Sequence, residues 1–201
     1  MLFLTREEGL LSAVVHGAQK SNTSSRLLSS PFRRIRAHFY HDPVKQTWKA
    51  QDLEEVDLLE SLAQNWDKYA TACLWAETVI KSWGESPNDV YELMSPFLTL
   101  LATLDSQWVQ PLRIQFLWRY LNIMGSLPDL SKIDSRKSFL LRELDLNYLK
   151  DSLFLPHTQS WELSPSDGHW ETLETETLKL VERALGKGLN SIASLLLVSQ
   201  E

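Results

Sequence analysis

FRRIRAHFYHDP, residues 32–43, decides how the amino-terminal part of the chain is read. Rings, aliphatic groups and cations follow one another up to Asp42-Pro43, a turn pair, and a strand sends successive side chains to opposite faces. One face then holds Arg33, Ile35, Ala37 and Phe39, and the other holds Phe32, Arg34, Arg36, His38 and Tyr40. The first set is expected to point inward. Outward from this stretch, Leu2 to Thr5, Leu10 to His16 and roughly Thr47 to Val56 are further short runs rich in aromatic or β-branched residues. Glu8-Gly9, a polar loop and Asp42-Pro43 divide them, so they read as strands. Four short strands in about 55 residues predict a small antiparallel barrel or meander, which curls to reduce its exposed edges.

After Asp57 the apolar period changes from two to 3.6, and helices are expected to the end of the chain. Trp66, Tyr69, Ala70, Cys73, Leu74, Glu77 and Ile80 form the first stripe, which Gly84 ends. Ser86-Pro87 with Asp89 opens a second helix carrying Val90, Leu93, Met94, Phe97, Leu98, Leu101 and Leu104, with Pro96 expected to kink or split it. Asp105 or Ser106 caps a third, whose stripe is Leu112, Phe116, Leu117, Tyr120, Leu121 and Met124. Ser138 to Tyr148 is a candidate fourth helix, Phe154 to Gly168 reads as irregular, and Leu173 to Leu185 and Leu189 to Val198 form a final pair around Gly186-Lys187-Gly188. The fold class is α+β: a strand-rich head, residues 1–56, and a helical body, residues 57–201.

Charge divides a little earlier, after Ala50. Residues 1–50 carry eight Lys and Arg against three Asp and Glu, a net of +5, whereas the other 151 carry 12 against 23, a net of −11. An anionic partner for the head alone follows from this asymmetry, because the whole molecule, at −6, repels phosphate at long range. With 43% hydrophobic and 23% charged residues the composition is that of a folded chain, which excludes the disordered class. Cys73 is the only cysteine, which excludes an internal disulfide framework and points to a reducing cytoplasm. No apolar run reaches the roughly 18 residues of a membrane span, so no membrane partner is expected.

Arg34, Arg36 and His38 interleaved with Phe32 and Tyr40 match the needs of single-stranded nucleic acid: cations meet phosphates and rings stack on unpaired bases at about 1–3 kcal/mol each. Lys20 to Arg26, in the preceding loop, adds mobile cationic and hydroxyl groups. A solvated charged surface and a plain hairpin tip are the competing readings. The tryptophans at 66, 75, 83, 108 and 118 fall in helical segments and are assigned to the core. The five histidines have no ligand spacing with Cys73, and neither a complete phosphate loop nor a nucleophile elbow occurs. Glu54, Glu55, Asp57 and Glu60 cluster at the junction, where acidic helix starts have an ordinary dipole explanation.

Gly9-Leu10-Leu11-Ser12-Ala13-Val14-Val15-His16-Gly17-Ala18, then Lys20-Ser21 and Ser30-Pro31-Phe32, resembles the amino-terminal region of the bacterial recombination mediator RecO. Phe116-Leu117-Trp118-Arg119-Tyr120-Leu121, then Met124-Gly125 and Pro128-Asp129-Leu130, is similar to that family's central helix and following turn. Together the matches span most of residues 3–133. The resemblance implies an oligonucleotide-binding (OB-fold-like) antiparallel barrel joined to an α-helical protein-interaction domain. It implies a non-enzymatic DNA-repair accessory that binds single- and double-stranded DNA, anneals complementary strands, and works with RecR to place RecA on DNA coated by single-strand-binding protein. Lys20, Arg34 and Arg36 are then the first DNA-contact candidates, Arg26 and Arg33 the next, with Phe32 and Tyr40 as stacking rings. Arg113 and Arg119 become candidates for receiving the acidic tail of single-strand-binding protein. Nucleoid association in the cytoplasm follows.

Two departures stand out. Ile133 occupies the region where the family's first zinc-site cysteine is expected, so no metal and no cofactor is expected. The family begins with another strand before the segment matched by Leu2 to Gly9, so the first barrel strand is expected to be missing here. Beyond about residue 135 the match is weak. Two other classes compete: a helical protein-interaction scaffold without direct DNA binding, and a hydrolase built from scattered Asp, His and Ser, for which no compact motif exists.

Overall fold

A computed structural model describes residues 1–15, 31–57, 59–82, 87–129, 143–160, 162–163 and 169–198. Its strands are β1 (Leu2–Thr5), β2 (Gly9–Val15), β3 (Arg34–Asp42) and β4 (Thr47–Asp57). Its helices are α1 (Glu60–Gln64), α2 (Trp66–Lys81), α3 (Pro87–Thr103), α4 (Val109–Ile123), α5 (Glu143–Phe154), α6 (His157–Ser160), α7 (Trp170–Leu185) and α8 (Ser191–Val198), with a 3-10 turn at Ser106–Trp108. The α+β order, strands first and helices after, is as expected.

The sheet departs from the expected antiparallel barrel. Its order is β1-β2-β4-β3, and among the described residues it is open, with β1 and β3 at its edges. β1 and β2 are antiparallel, as are β3 and β4, but Ala13 to Val15 of β2 run parallel to Trp48 to Ala50 of β4. The return of β4 beside β2 places β3 outside it, so the second hairpin is not a simple continuation of the first. Two irregularities bend β4: between Arg34 and Ile35, and between Arg36 and His38, β4 spends one residue more than β3. The second falls at Asp52, whose φ of 50° is a left-handed conformation that a bulge accommodates. Phe3, Ala13 and Ala50 are buried together, with Ile35, Phe39 and Trp48 packed against them. Phe3 meets Phe39 edge-on, with ring centroids 5.1 Å apart.

The helical core is larger and surrounds α4. Eleven of that helix's residues are buried, from Val109 through Leu121, including Arg113 and Gln115. A helix apolar on nearly every face requires neighbours on every side. On one side Trp75 of α2 stacks on Phe116 at 4.5 Å and meets Phe97 of α3 edge-on at 5.9 Å. On the other, Ile114 and Trp118 pack with Leu146, Tyr148 and Leu149 of α5 and Leu173 of α7. Leu4 and Phe32 also pack against the main helical core, so the sheet leans on the body rather than standing apart.

Local signals explain most helix ends. The Asn65 side chain accepts a hydrogen bond from the Lys68 amide at 3.1 Å and starts α2. Gly186, at φ 62°, closes α7. Pro96 lies inside α3 without dividing it. The stripe of α2 is rotated from the expected one: Trp75 and Val79 are buried, whereas Trp66 is 57% and Ile80 47% exposed. Trp118 is buried as assigned, Trp108 partly so, and Trp83 lies outside the described residues. Part of the stretch taken as irregular is helical, ending α5 and forming α6.

Glu77 fixes the last helix. Its carboxylate accepts from the amides of Asn190 at 2.9 Å and Ser191 at 2.7 Å, and from Ser191 Oγ at 2.6 Å, while Lys81 Nζ stands 2.8 Å away. Burial raises the carboxyl pKa, but the hydrogen bonds from Lys81, Ser191 and Asn190 outweigh it and leave the group at about 2. A carboxylate whose folded pKa lies below its unfolded one stabilises the fold above the unfolded value and loses that stabilisation as pH falls toward the folded one. Glu77→Gln is therefore expected to lower stability near neutrality by about 1–3 kcal/mol. The gap from wild type should shrink steadily between about pH 4.5 and 2 in urea titrations at stepped pH.

Candidate nucleic-acid interface and the adjoining groove

The outer row of β3 forms as expected in its second half. Arg36, His38 and Tyr40 are exposed, while Ile35, Ala37 and Phe39 are partly buried toward the sheet core. The pairing strand, however, supplies one acid opposite Arg36 and another opposite His38. Arg36 Nη1 lies 3.4 Å from Glu54 Oε2 and His38 Nδ1 3.4 Å from Asp52 Oδ2. With Arg36 75% and Glu54 67% exposed, that pair contributes little to stability and separates readily. Lys49 Nζ lies 2.7 Å from Asp42 Oδ2 and 5.4 Å from the Tyr40 ring centroid. The hydrogen bond from Lys49, joined by those from the Lys45 and Val44 amides, holds the Asp42 carboxyl at about 2, and Asp42 in turn raises the Lys49 pKa.

The first half of the row is engaged elsewhere. Arg34 Nη2 donates to Ser95 O and Ser95 Oγ, each at 3.1 Å, and to Thr99 Oγ1 at 2.8 Å, tying β3 to α3. Asp57 Oδ2 stands 3.9 Å from its Nη1. Arg34 thus acts as a strut, a correction to its placement among free phosphate-contacting cations. Phe32, at φ 56°, turns away from the row and packs edge-on against Tyr69 of α2 at 5.6 Å. It is a bridge to the helical body, where sequence alternation places it on the exposed face. Lys20 and Arg26 lie outside the described residues.

Arg33 lines a groove of about 1090 Å³ between the sheet and helices α2 and α3. Its Nε and Nη1 atoms are buried, and neither has a hydrogen-bond partner. The other groove arginines are engaged: Arg6 lies 2.8 Å from Glu92 and over the Tyr91 ring, Arg34 is bound as above, and Arg36 faces Glu54.

The two arginines assigned to partner binding serve the interior. Arg113 is 6% exposed, and its guanidinium bonds Thr71 Oγ1 at 2.9 Å, Asp67 and Glu174. It presents no surface, which corrects its assignment. Arg119 is partly buried: Nη2 donates to Leu155 O and to Ser160 Oγ, and the guanidinium carbon lies 5.8 Å from the Phe97 ring centroid. Burial lowers its pKa, and burial and then the Arg119 charge lower that of His157 nearby.

The partners Asp52, Glu54, Ser95 and Thr99 carry no signal in sequence that ties them to β3; only the strand register reveals the first two, and only the packing of α3 the others. Among the described residues there is no cluster of His, Cys, Asp and Glu able to hold a metal ion, and no helix long and apolar enough to cross a membrane. No protein-family model matches the chain, and no curated protein matches its sequence.

Proposed function

We propose that the chain is a DNA-repair accessory of the RecO kind, binding single- and double-stranded DNA through its head, annealing complementary strands, and engaging RecR and single-strand-binding protein to load RecA. The reading is supported by one observation above the others: strands precede helices in the order the two sequence matches imply, and Arg36, His38 and Tyr40 stand exposed in one row of β3. Its chemistry is phosphate contact and base stacking rather than covalent catalysis, carried out beside the nucleoid in the cytoplasm.

Arg36 is exposed on the outer face with His38 and Tyr40 beside it, and Lys20 and Arg26 join them in the proposal. Each phosphate has to displace a carboxylate, Glu54 from Arg36 or Asp52 from His38. Binding is then modest, strong only at low salt, and governed by the acids as much as by the bases. In fluorescence anisotropy with single-stranded DNA, Glu54→Gln with Asp52→Asn is expected to tighten binding at least threefold and to steepen the log Kd against log salt slope by about 0.7 for each additional phosphate neutralised. Arg36→Ala is expected to weaken binding without moving Tm, since an exposed pair contributes about 0–1 kcal/mol. Absence of binding at low salt in both wild type and the double amide variant would refute DNA contact.

A second reading, a helical interaction scaffold without direct DNA binding, is favoured by the carboxylates facing the β3 cations. Protein capture from nuclease-treated extract with no DNA shift supports it.

A further inference from the structure

Along the outer face of β3 and β4, Arg36, His38 and Lys49 each stand against a carboxylate: Glu54 and Asp52 at 3.4 Å, and Asp42 at 2.7 Å. Pair by pair, these groups leave no surplus of positive charge. The backbone is bent to complete the pairing. Gln51 is the residue in register with His38, so regular alternation turns Asp52 to the opposite face. The irregularity there, with Asp52 at φ 50°, re-aims its carboxylate to His38 instead. What the face does offer is apolar area. Tyr40, 42% exposed, is the ring that remains in the row once Phe32 has turned to Tyr69. Val14 pairs with Lys49 and Lys49 with Tyr40, so Val14, 48% exposed, shares that face and extends the surface across the sheet.

We infer that Asp52 and Glu54 are specificity determinants, which make this face take single-stranded nucleic acid by its bases and refuse duplex. The inference rests on the DNA reading and narrows it, since any duplex the head holds is then held away from this face. A duplex brings one negative charge for about every 1.7 Å of its axis and keeps its ring faces inside the stack. It meets the row mainly with phosphates, and a phosphate that approaches Arg36 or His38 also approaches a carboxylate. A single strand is less densely charged and can turn unpaired rings onto Tyr40, whatever their sequence. The carboxylates thus act by repulsion, which costs the wrong ligand more than the right one.

The test is fluorescence anisotropy on the full chain at low salt with three labelled ligands of equal length: a thymidylate strand, an abasic sugar–phosphate strand and a duplex. The wild-type protein is expected to bind the thymidylate strand at least about fivefold more tightly than either of the others. That comparison alters only the ligand, so it holds whatever a substitution does to the fold. Glu54→Gln with Asp52→Asn should raise duplex affinity at least about threefold more than thymidylate affinity, closing the gap from below. Asparagine keeps the tolerance of left-handed backbone that position 52 requires. Tyr40→Ala should close the gap from above, bringing thymidylate to the abasic level and leaving duplex where it was. Duplex bound as tightly as thymidylate by the wild type, or an unchanged preference in the double amide variant, would overturn the inference and leave the DNA reading intact. Equal binding of the thymidylate and abasic strands would do the same, reducing the face to phosphate contact. No binding of any ligand, by wild type or by the double amide variant, would remove the DNA reading and this inference with it.

Discussion

Arg113→Ala is expected to cost about 3–5 kcal/mol of folding stability, as when one member of a buried ionic group is removed and the rest left behind. The guanidinium joins three helices: Nε reaches Thr71 and Nη2 reaches Asp67, both on α2, and Nη1 reaches Glu174 on α7, all from α4. Glu174 is held a second time by Gln110 Nε2 at 2.6 Å. Removing the cation leaves two carboxylates, with side chains 27% and 15% exposed, facing a space that no longer contains a positive charge. Urea denaturation should show the midpoint falling with little change in slope. Arg113→Lys keeps the charge but not the planar fork, and should fall between alanine and wild type. Combining Arg113→Met with Asp67→Asn and Glu174→Gln should recover much of the loss, since the penalty comes mainly from the abandoned anions. If the single alanine variant is as stable as wild type, the three-helix junction does not carry this load.

Two buried tryptophans are expected to respond differently to the same substitution. Trp75 and Trp118 are both fully buried, and replacing either by alanine should cost about 3–5 kcal/mol through lost contacts and the cavity left behind. Phenylalanine separates them. Trp75 Nε1 is buried without a hydrogen-bond partner, so Trp75→Phe removes an unsatisfied donor together with some packing volume. The two effects oppose, and the net cost should stay below about 1.5 kcal/mol. Trp118 Nε1 donates to Thr177 Oγ1 at 2.8 Å, and Thr177 in turn donates to Leu173 O at 2.7 Å. Trp118→Phe therefore loses a satisfied buried bond as well as volume, and should be worse than Trp75→Phe by about 1 kcal/mol or more. Calorimetry on the two phenylalanine variants gives the comparison directly, and equal melting temperatures would contradict it.

Local pattern was sufficient where the physics is local. The four strands, the switch to helical spacing after Asp57 and the Gly186 end of α7 follow from alternation, apolar period and a left-handed glycine. What is set by distant pairing was not legible. That β2 lies parallel to β4, and that Glu54 and Asp52 stand beside Arg36 and His38, depend on register between segments more than thirty or about fifteen residues apart. Alternation could not show Ser95 and Thr99 engaging Arg34. Arg113 read as a surface group because charged residues usually are, whereas it sits on a part of α4 covered by α2 and α7. A hint was present: Val109, Leu112, Ile114, Phe116, Leu117, Trp118, Tyr120 and Leu121 are more apolar residues than one buried face of the helix needs.

The enclosure of α4 also has a history within each molecule made. Glu174 and Thr177, which close over Arg113 and Trp118, lie 61 and 59 residues further along the chain. At about 5–20 residues per second, translation leaves this helix waiting on the order of 3–12 s for its lid. For that interval an apolar cylinder stands open on one flank at the mouth of the ribosome, where chaperones survey nascent chains. The newborn chain is thus at its most vulnerable in its middle, and becomes self-sufficient only as α7 emerges.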